Sequence, residues 1–111
     1  MDLDSYAAWA QQITPCETAT DLAIAALSML GDAGEVADMV KNNLRDGELD
    51  QGRLAHELGD VLFYWACLCR RAGVAPSEIL KRSRESMERR RQLRGAASSP
   101  PPPTTAPSTA R

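Results

Sequence analysis

Nine consecutive residues, Val61 to Cys69 (Val-Leu-Phe-Tyr-Trp-Ala-Cys-Leu-Cys), put apolar or aromatic side chains on every side of whatever element they form. Arg70-Arg71 and then Gly73 close the run as a helix is closed, with cations in the last turn and glycine just past the end. A helix that is apolar all round must be covered on several sides. Nine residues fall far short of the ~20 needed to span a bilayer, so the cover has to be protein. A chain of 111 residues has room for one small domain. The expected fold is therefore all-α: a four-helix unit whose bundle core is completed by oligomerisation, as a homodimer or homotetramer.

The other helices are marked by local signals. Asp4-Ser5 opens a short helix to about Gln12, with Tyr6, Trp9, Ala10 and Ile13 as its apolar stripe, and Thr14-Pro15-Cys16 breaks it. A second helix runs from Thr18 or Thr20 to Leu44, with Asp21 in its first turn and Leu22, Ala25/Ala26, Met29, Val36, Met39/Val40 and Leu44 on its core face. The Arg45–Gly52 segment is polar and contains an Asp-Gly turn, so the helices it joins are antiparallel neighbours. Asp50 is the preferred N-cap of the third helix. Pro76 at a first helical position starts a fourth, thinly apolar helix through Ile79, Leu80, Met87 and Leu93. After Gly95 the chain becomes Pro/Ser/Thr-rich with nothing to bury, so the domain is read as 1–95 and the tail as disordered over 96–111.

Two helices carry acids three residues apart, Asp32/Glu35 and Glu57/Asp60. Residues i and i+3 share a helix face, so each pair aims two carboxylates at one place. One such pair alone is ordinary solvated surface. Two pairs on neighbouring helices, beside interior glycines, would repel unless a cation lay between them. All-oxygen ligands suit Mg²⁺, with Mn²⁺ possible, rather than zinc. Gly31 and Gly34 cost about 1 kcal/mol each inside a helix. They imply close approach of another backbone or of a ligand, the alternative being a kink between two shorter helices. His56 points about 100° from Glu57 and reads as surface. Asp38 reads as solvated or as an outer group of the site, and Tyr64 as core or as a contact for a base.

Charge narrows the partners. Residues 1–80 hold thirteen acids against five bases, whereas residues 81–94 carry a net +5. An acidic body followed by a basic helix suits an anionic small molecule held through metal and arginine. It lacks the broad basic face of a nucleic-acid binder. Cys16, Cys67 and Cys69 are odd in number, and the last two diverge around a helix, so they make neither a mutual disulfide nor a zinc signature. The acidic start has no signal core and no run is long enough for a membrane span, which makes the cytoplasm the expected compartment.

With the motifs placed, the chain resembles the MazG-like branch of the all-α nucleoside triphosphate pyrophosphohydrolases. The residues that carry the likeness are Gly31-Asp32-Ala33-Gly34-Glu35 and Glu57-Leu58-Gly59-Asp60-Val61-Leu62-Phe63-Tyr64, within roughly residues 5–91 and including Tyr6-x-x-Trp9-Ala10. The resemblance implies Mg²⁺-dependent cleavage of a (deoxy)nucleoside triphosphate between its α and β phosphates, giving the monophosphate and pyrophosphate. It implies Asp32, Glu35, Glu57 and Asp60 as metal ligands, with Glu35 or Glu57 also activating water. Lys41 and Arg90 match family positions that would meet phosphate, and Arg84 or Arg89 would stand in for the basic and polar groups missing from the last helix.

Two departures stand out. Asp32 replaces a usual glutamate, and Ser83 and Ser86 stand where asparagine and lysine are usual in the last helix. These leave two other readings open, a phosphoribosyl-ATP pyrophosphohydrolase-like enzyme and a non-catalytic helical interaction module.

Overall fold

The computed structural model describes residues 1–98, which form four α-helices. These are α1 (Leu3–Ile13), α2 (Ala19–Asp46), α3 (Gln51–Ala72) and α4 (Pro76–Ser98). Among the described residues there is no strand, and no helix is long and apolar enough to cross a membrane. The fold is all-α, as expected; the tail expectation for 99–111 lies outside the described residues. Residues 96–98, expected in the tail, continue α4, because Ala96 and Ala97 are the strongest of helix formers.

The chain divides into a compact unit, Met1–Ile79, and a second unit beginning at Leu80 within α4. In the first, α3 is central and packs along both α2 and α1. Each helix start is fixed by a side chain that satisfies backbone N–H groups the helix leaves orphaned. Asp2 accepts from Ser5 N at 2.7 Å. Thr18 and Asp21 form a reciprocal capping box. Asp50, the expected cap, accepts from Arg53 N at 3.0 Å. Gly47 and Gly73 end α2 and α3 with φ of 75° and 71°, a left-handed backbone that glycine adopts without a Cβ penalty.

The core keeps Ala10, Ala25 and Met39 of the expected stripes, with Tyr6 packed against it, and leaves other expected members out. Ala7 and Ala10 of α1 meet Ala66 and Cys67 of α3, with Tyr6, Phe63 and Trp65 packed around them. Small residues at this crossing let the two backbones come close, and Cys67 Sγ lies 3.7 Å from the Ala10 carbonyl. Ile13 and Trp9 are instead 60% and 47% exposed. On α2 only Ala25 and Met39 are buried, while Ala26, Val40 and Leu44, expected in the core, are exposed. The glycine expectation is also corrected within this chain. α2 runs unbroken through Gly31 and Gly34, so there is no kink, and a Cβ at either would meet nothing within 4 Å.

The loop between α1 and α2 is tied to the end of α3. Arg71 donates to the Glu17 carbonyl at 3.1 Å, and Arg70 pairs with the Glu17 carboxylate at 3.4 Å. The α3–α4 junction is held by Asp4, which accepts from Ser77 N at 2.9 Å and from its hydroxyl at 2.8 Å.

Candidate metal and phosphate site

Asp32 lies seven residues from Ala25 and seven from Met39, the two buried residues of α2. Seven residues are nearly two helical turns, so Asp32 shares their inward face, and its half-buried state agrees. Glu35, one turn on, is exposed, and its carboxylate pairs with Arg53 of α3 at 3.1 Å. This ion pair joins the two helices of the expected site. Asn42 and Asp50 line a common depression of about 210 Å³ with Met39, Asp46, Glu48 and Arg53. Glu35 is seven residues before Asn42 and Glu57 seven after Asp50, about 10 Å along each helix.

On α3, Glu57 and Asp60 are both half-buried. Together with His56 they form a group in which one donor atom from each lies within 4.8 Å of the others. His56 Nε2 is 3.3 Å from an Asp60 carboxylate oxygen. Asp32 and Glu35 of α2 are not members of this close group, and Arg53 takes up the Glu35 carboxylate. The expected quartet is thus present as two sets, one per helix, rather than four oxygens already gathered at one point.

Two residues of this region were not identified from sequence. Arg53 sits one turn before Glu57 on the same face, and that i, i+4 spacing was the available signal. His56 is exposed, as expected of a surface residue, yet it engages Asp60, also four residues away.

The remaining expected contacts are placed as follows. Lys41 is exposed and paired with Asp38 at 3.4 Å, which accounts for both charges locally. Tyr64 is half-buried and packs edge-on to Phe63 with ring centroids 5.3 Å apart. Arg84 and Arg90 belong to the α4 unit, both exposed, with Arg90 Nη1 3.9 Å from Met87 Sδ. Arg84 lines an open face of that single helix with Lys81, Glu85, Glu88, Arg89 and Gln92.

Comparison with known proteins settles the family. Residues 22–94 match the MazG nucleotide pyrophosphohydrolase domain. The chain belongs to the MazG nucleotide pyrophosphohydrolase family. The match covers most of α2, all of α3 and most of α4, which includes both acidic segments and leaves α1 outside. A curated relative, the Gene 37 protein of Mycobacterium phage L5, is 33% identical over 81 residues, covering 68% of this chain and 71% of that protein. No solved structure matches. As a MazG domain the chain falls among hydrolases of phosphoric anhydride bonds, and a nucleotide is the substrate the family implies.

The donor set fits a divalent cation of the kind this chemistry uses. Carboxylate oxygens suit a hard, octahedral ion, and His56 Nε2 and Asp60 are an ion pair at 3.3 Å. The half-buried state of Asp32, Glu57 and Asp60 leaves each open to a ligand.

Proposed function

We propose that this MazG domain hydrolyses (deoxy)nucleoside triphosphates to the nucleoside monophosphate and pyrophosphate, with Mg²⁺ or Mn²⁺ held by Asp32, Glu35, Glu57 and Asp60. The observation that carries the reading is the close grouping of Glu57 and Asp60 donor atoms on α3, with Glu35 of α2 tied to the same helix through Arg53, in a chain of this family. A bound divalent cation supplies charge neutralisation of the triphosphate and polarisation of the bond to be cleaved.

The chain's own residues do the rest. A carboxylate not fully committed to metal, Glu35 or Glu57, accepts the proton of the water that attacks the α-phosphorus. Glu35 has to leave Arg53 to do so, which frees the Arg53 guanidinium for phosphate oxygens beside it, a geometry guanidinium matches well. Lys41, Arg84 and Arg90 are the further phosphate contacts, and Tyr64 is the aromatic group for the base. The acidic body repels a free triphosphate, so the metal complex is the form that binds. The working species is a homo-oligomer, because the apolar side chains that α2 leaves exposed need cover from a second copy.

The test is pyrophosphate release from a panel of NTPs, dNTPs and phosphoribosyl-ATP, with and without Mg²⁺. Metal-dependent release from at least one (d)NTP is the expected outcome. Release from phosphoribosyl-ATP alone moves the assignment to that substrate. No turnover on any, together with no rise in melting temperature on adding Mg²⁺ or Mn²⁺, leaves a helical interaction module without chemistry.

A further inference from the structure

We infer that His56 is a third donor on the α3 face of the metal site, and that it biases the site toward a borderline divalent cation such as Mn²⁺ over Mg²⁺. The inference rests on the metal-site reading above and adds a residue to it. His56, Glu57 and Asp60 occupy positions i, i+1 and i+4 of one regular helix. Residues four apart are neighbours on a helix surface, so an imidazole and a carboxylate at this spacing can close on one ion without bending the backbone.

The distances agree. An octahedral cation with bonds of about 2.1 Å sets neighbouring ligand atoms about 3 Å apart and opposite ones about 4 Å apart. His56 Nε2 and the Asp60 carboxylate stand 3.3 Å apart, and the Glu57 donor completes a group within 4.8 Å. The His56 side chain is 71% exposed and that of Asp60 43%, so neither is fixed in the core and both can adjust to an ion.

The chemistry of the donor set gives the selectivity. The sequence alone offered only oxygen ligands, which do not distinguish Mn²⁺ strongly from Mg²⁺. A nitrogen donor does. Imidazole suits transition ions, whereas Mg²⁺ keeps its waters and takes carboxylate and phosphate oxygens. His56 therefore strengthens binding of the softer ion and leaves the harder one nearly untouched.

The test is calorimetric titration of MnCl₂ and of MgCl₂ into the full-length protein without nucleotide, for wild type, His56→Gln and Asp60→Asn, with circular dichroism melts to check the fold. Wild type should bind Mn²⁺ more tightly than Mg²⁺. His56→Gln should lose about tenfold in Mn²⁺ affinity, the lower end of what a supporting group costs when removed, and change Mg²⁺ affinity by less than about twofold. Asp60→Asn should weaken both. Equal losses for the two ions in His56→Gln, or no loss of Mn²⁺ affinity, overturn the inference while leaving the carboxylate site standing. A wild-type protein that binds neither ion overturns the carboxylate site and the inference together.

Discussion

Glu57 and Asp60 are half-buried, and neither belongs to the core cluster of alanines and a cysteine that holds α1 on α3. Amide replacements at these positions keep the side-chain volume and remove the charge. Glu57→Gln and Asp60→Asn should therefore melt within a few degrees of wild type and lose turnover, for Glu57 by about 10²–10⁴ if it is the base. A steady-state pyrophosphate assay beside a thermal melt checks both halves; collapse of the fold would make these acids structural. The acid spacing was legible in the sequence because i, i+3 pairs need only helix geometry. The engagement of His56 and Arg53 was not, since it depends on rotamers and on the register of two helices, which spacing within one helix does not contain.

The buried thiols add a pH dependence at the same scale. Burial pushes the Cys67 thiol above its ordinary value, with Cys16 and Cys69 adding to the effect, and burial with nearby Asp4 does the same for Cys69. The folded protein then keeps these protons to higher pH than the unfolded chain does. Stability should be unaffected by them below the ordinary thiol range near pH 9 and should fall as pH rises beyond it. Urea unfolding from pH 7 to 10.5 should show a steeper decline for wild type than for Cys67→Ala/Cys69→Ala. Equal slopes would mean the thiols titrate alike in both states.

At the scale of the elements, helix boundaries were the most readable part of the chain. Asp50, Gly73 and Pro76 each have a local chemical reason to stand where they do, and the helices begin and end there. Asp50→Ala removes the acceptor for Arg53 N and should cost about 1 kcal/mol, measured by urea unfolding. The inward faces were less readable, because α1 buries Ala7 and Ala10 while its larger Trp9 and Ile13 stay out. Hydrophobic size alone suggests the reverse; close helix approach selects the small residues.

Gly31 gives a sharper test of what surrounds α2. A Cβ there meets nothing within 4 Å and the backbone is ordinary helix, so Gly31→Ala should gain about 1 kcal/mol of helix propensity. In a domain of this size that raises the melting temperature by roughly 4–8 °C. A fall instead, or a loss of turnover with stability intact, would locate a close neighbour that the single chain does not contain.

At the scale of the molecule the decisive fact is how little one chain buries. Among the described residues the largest fully buried side chains are Cys16 and Cys67, and no leucine, isoleucine or aromatic is among them. Ala26, Leu30, Ala33, Ala37, Val40 and Leu44 are all exposed, and they follow one another at spacings of four, three, four, three and four along α2. That alternation is the spacing a coiled-coil seam uses, and small residues at its centre would permit close approach of a second helix. Leu27 flanks the seam, and α3 leaves Leu58 and Leu62 exposed one turn apart. At about 25 cal/mol per Å² and 1.5–3 kcal/mol per side chain, each large residue represents on the order of 100 Å². Six of them approach the ~800 Å² that each partner of a standard interface contributes. The homo-oligomer proposed above would use this face, since a self-complementary seam closes by twofold symmetry without any further partner. Leu30→Glu with Leu44→Glu puts like charges into that seam and should convert the assembly to monomers by light scattering on a sizing column, with a melting temperature lower by ten degrees or more. An unchanged mass would place the oligomer contact elsewhere, and a wild-type chain that runs as a monomer would remove the second copy from the site altogether.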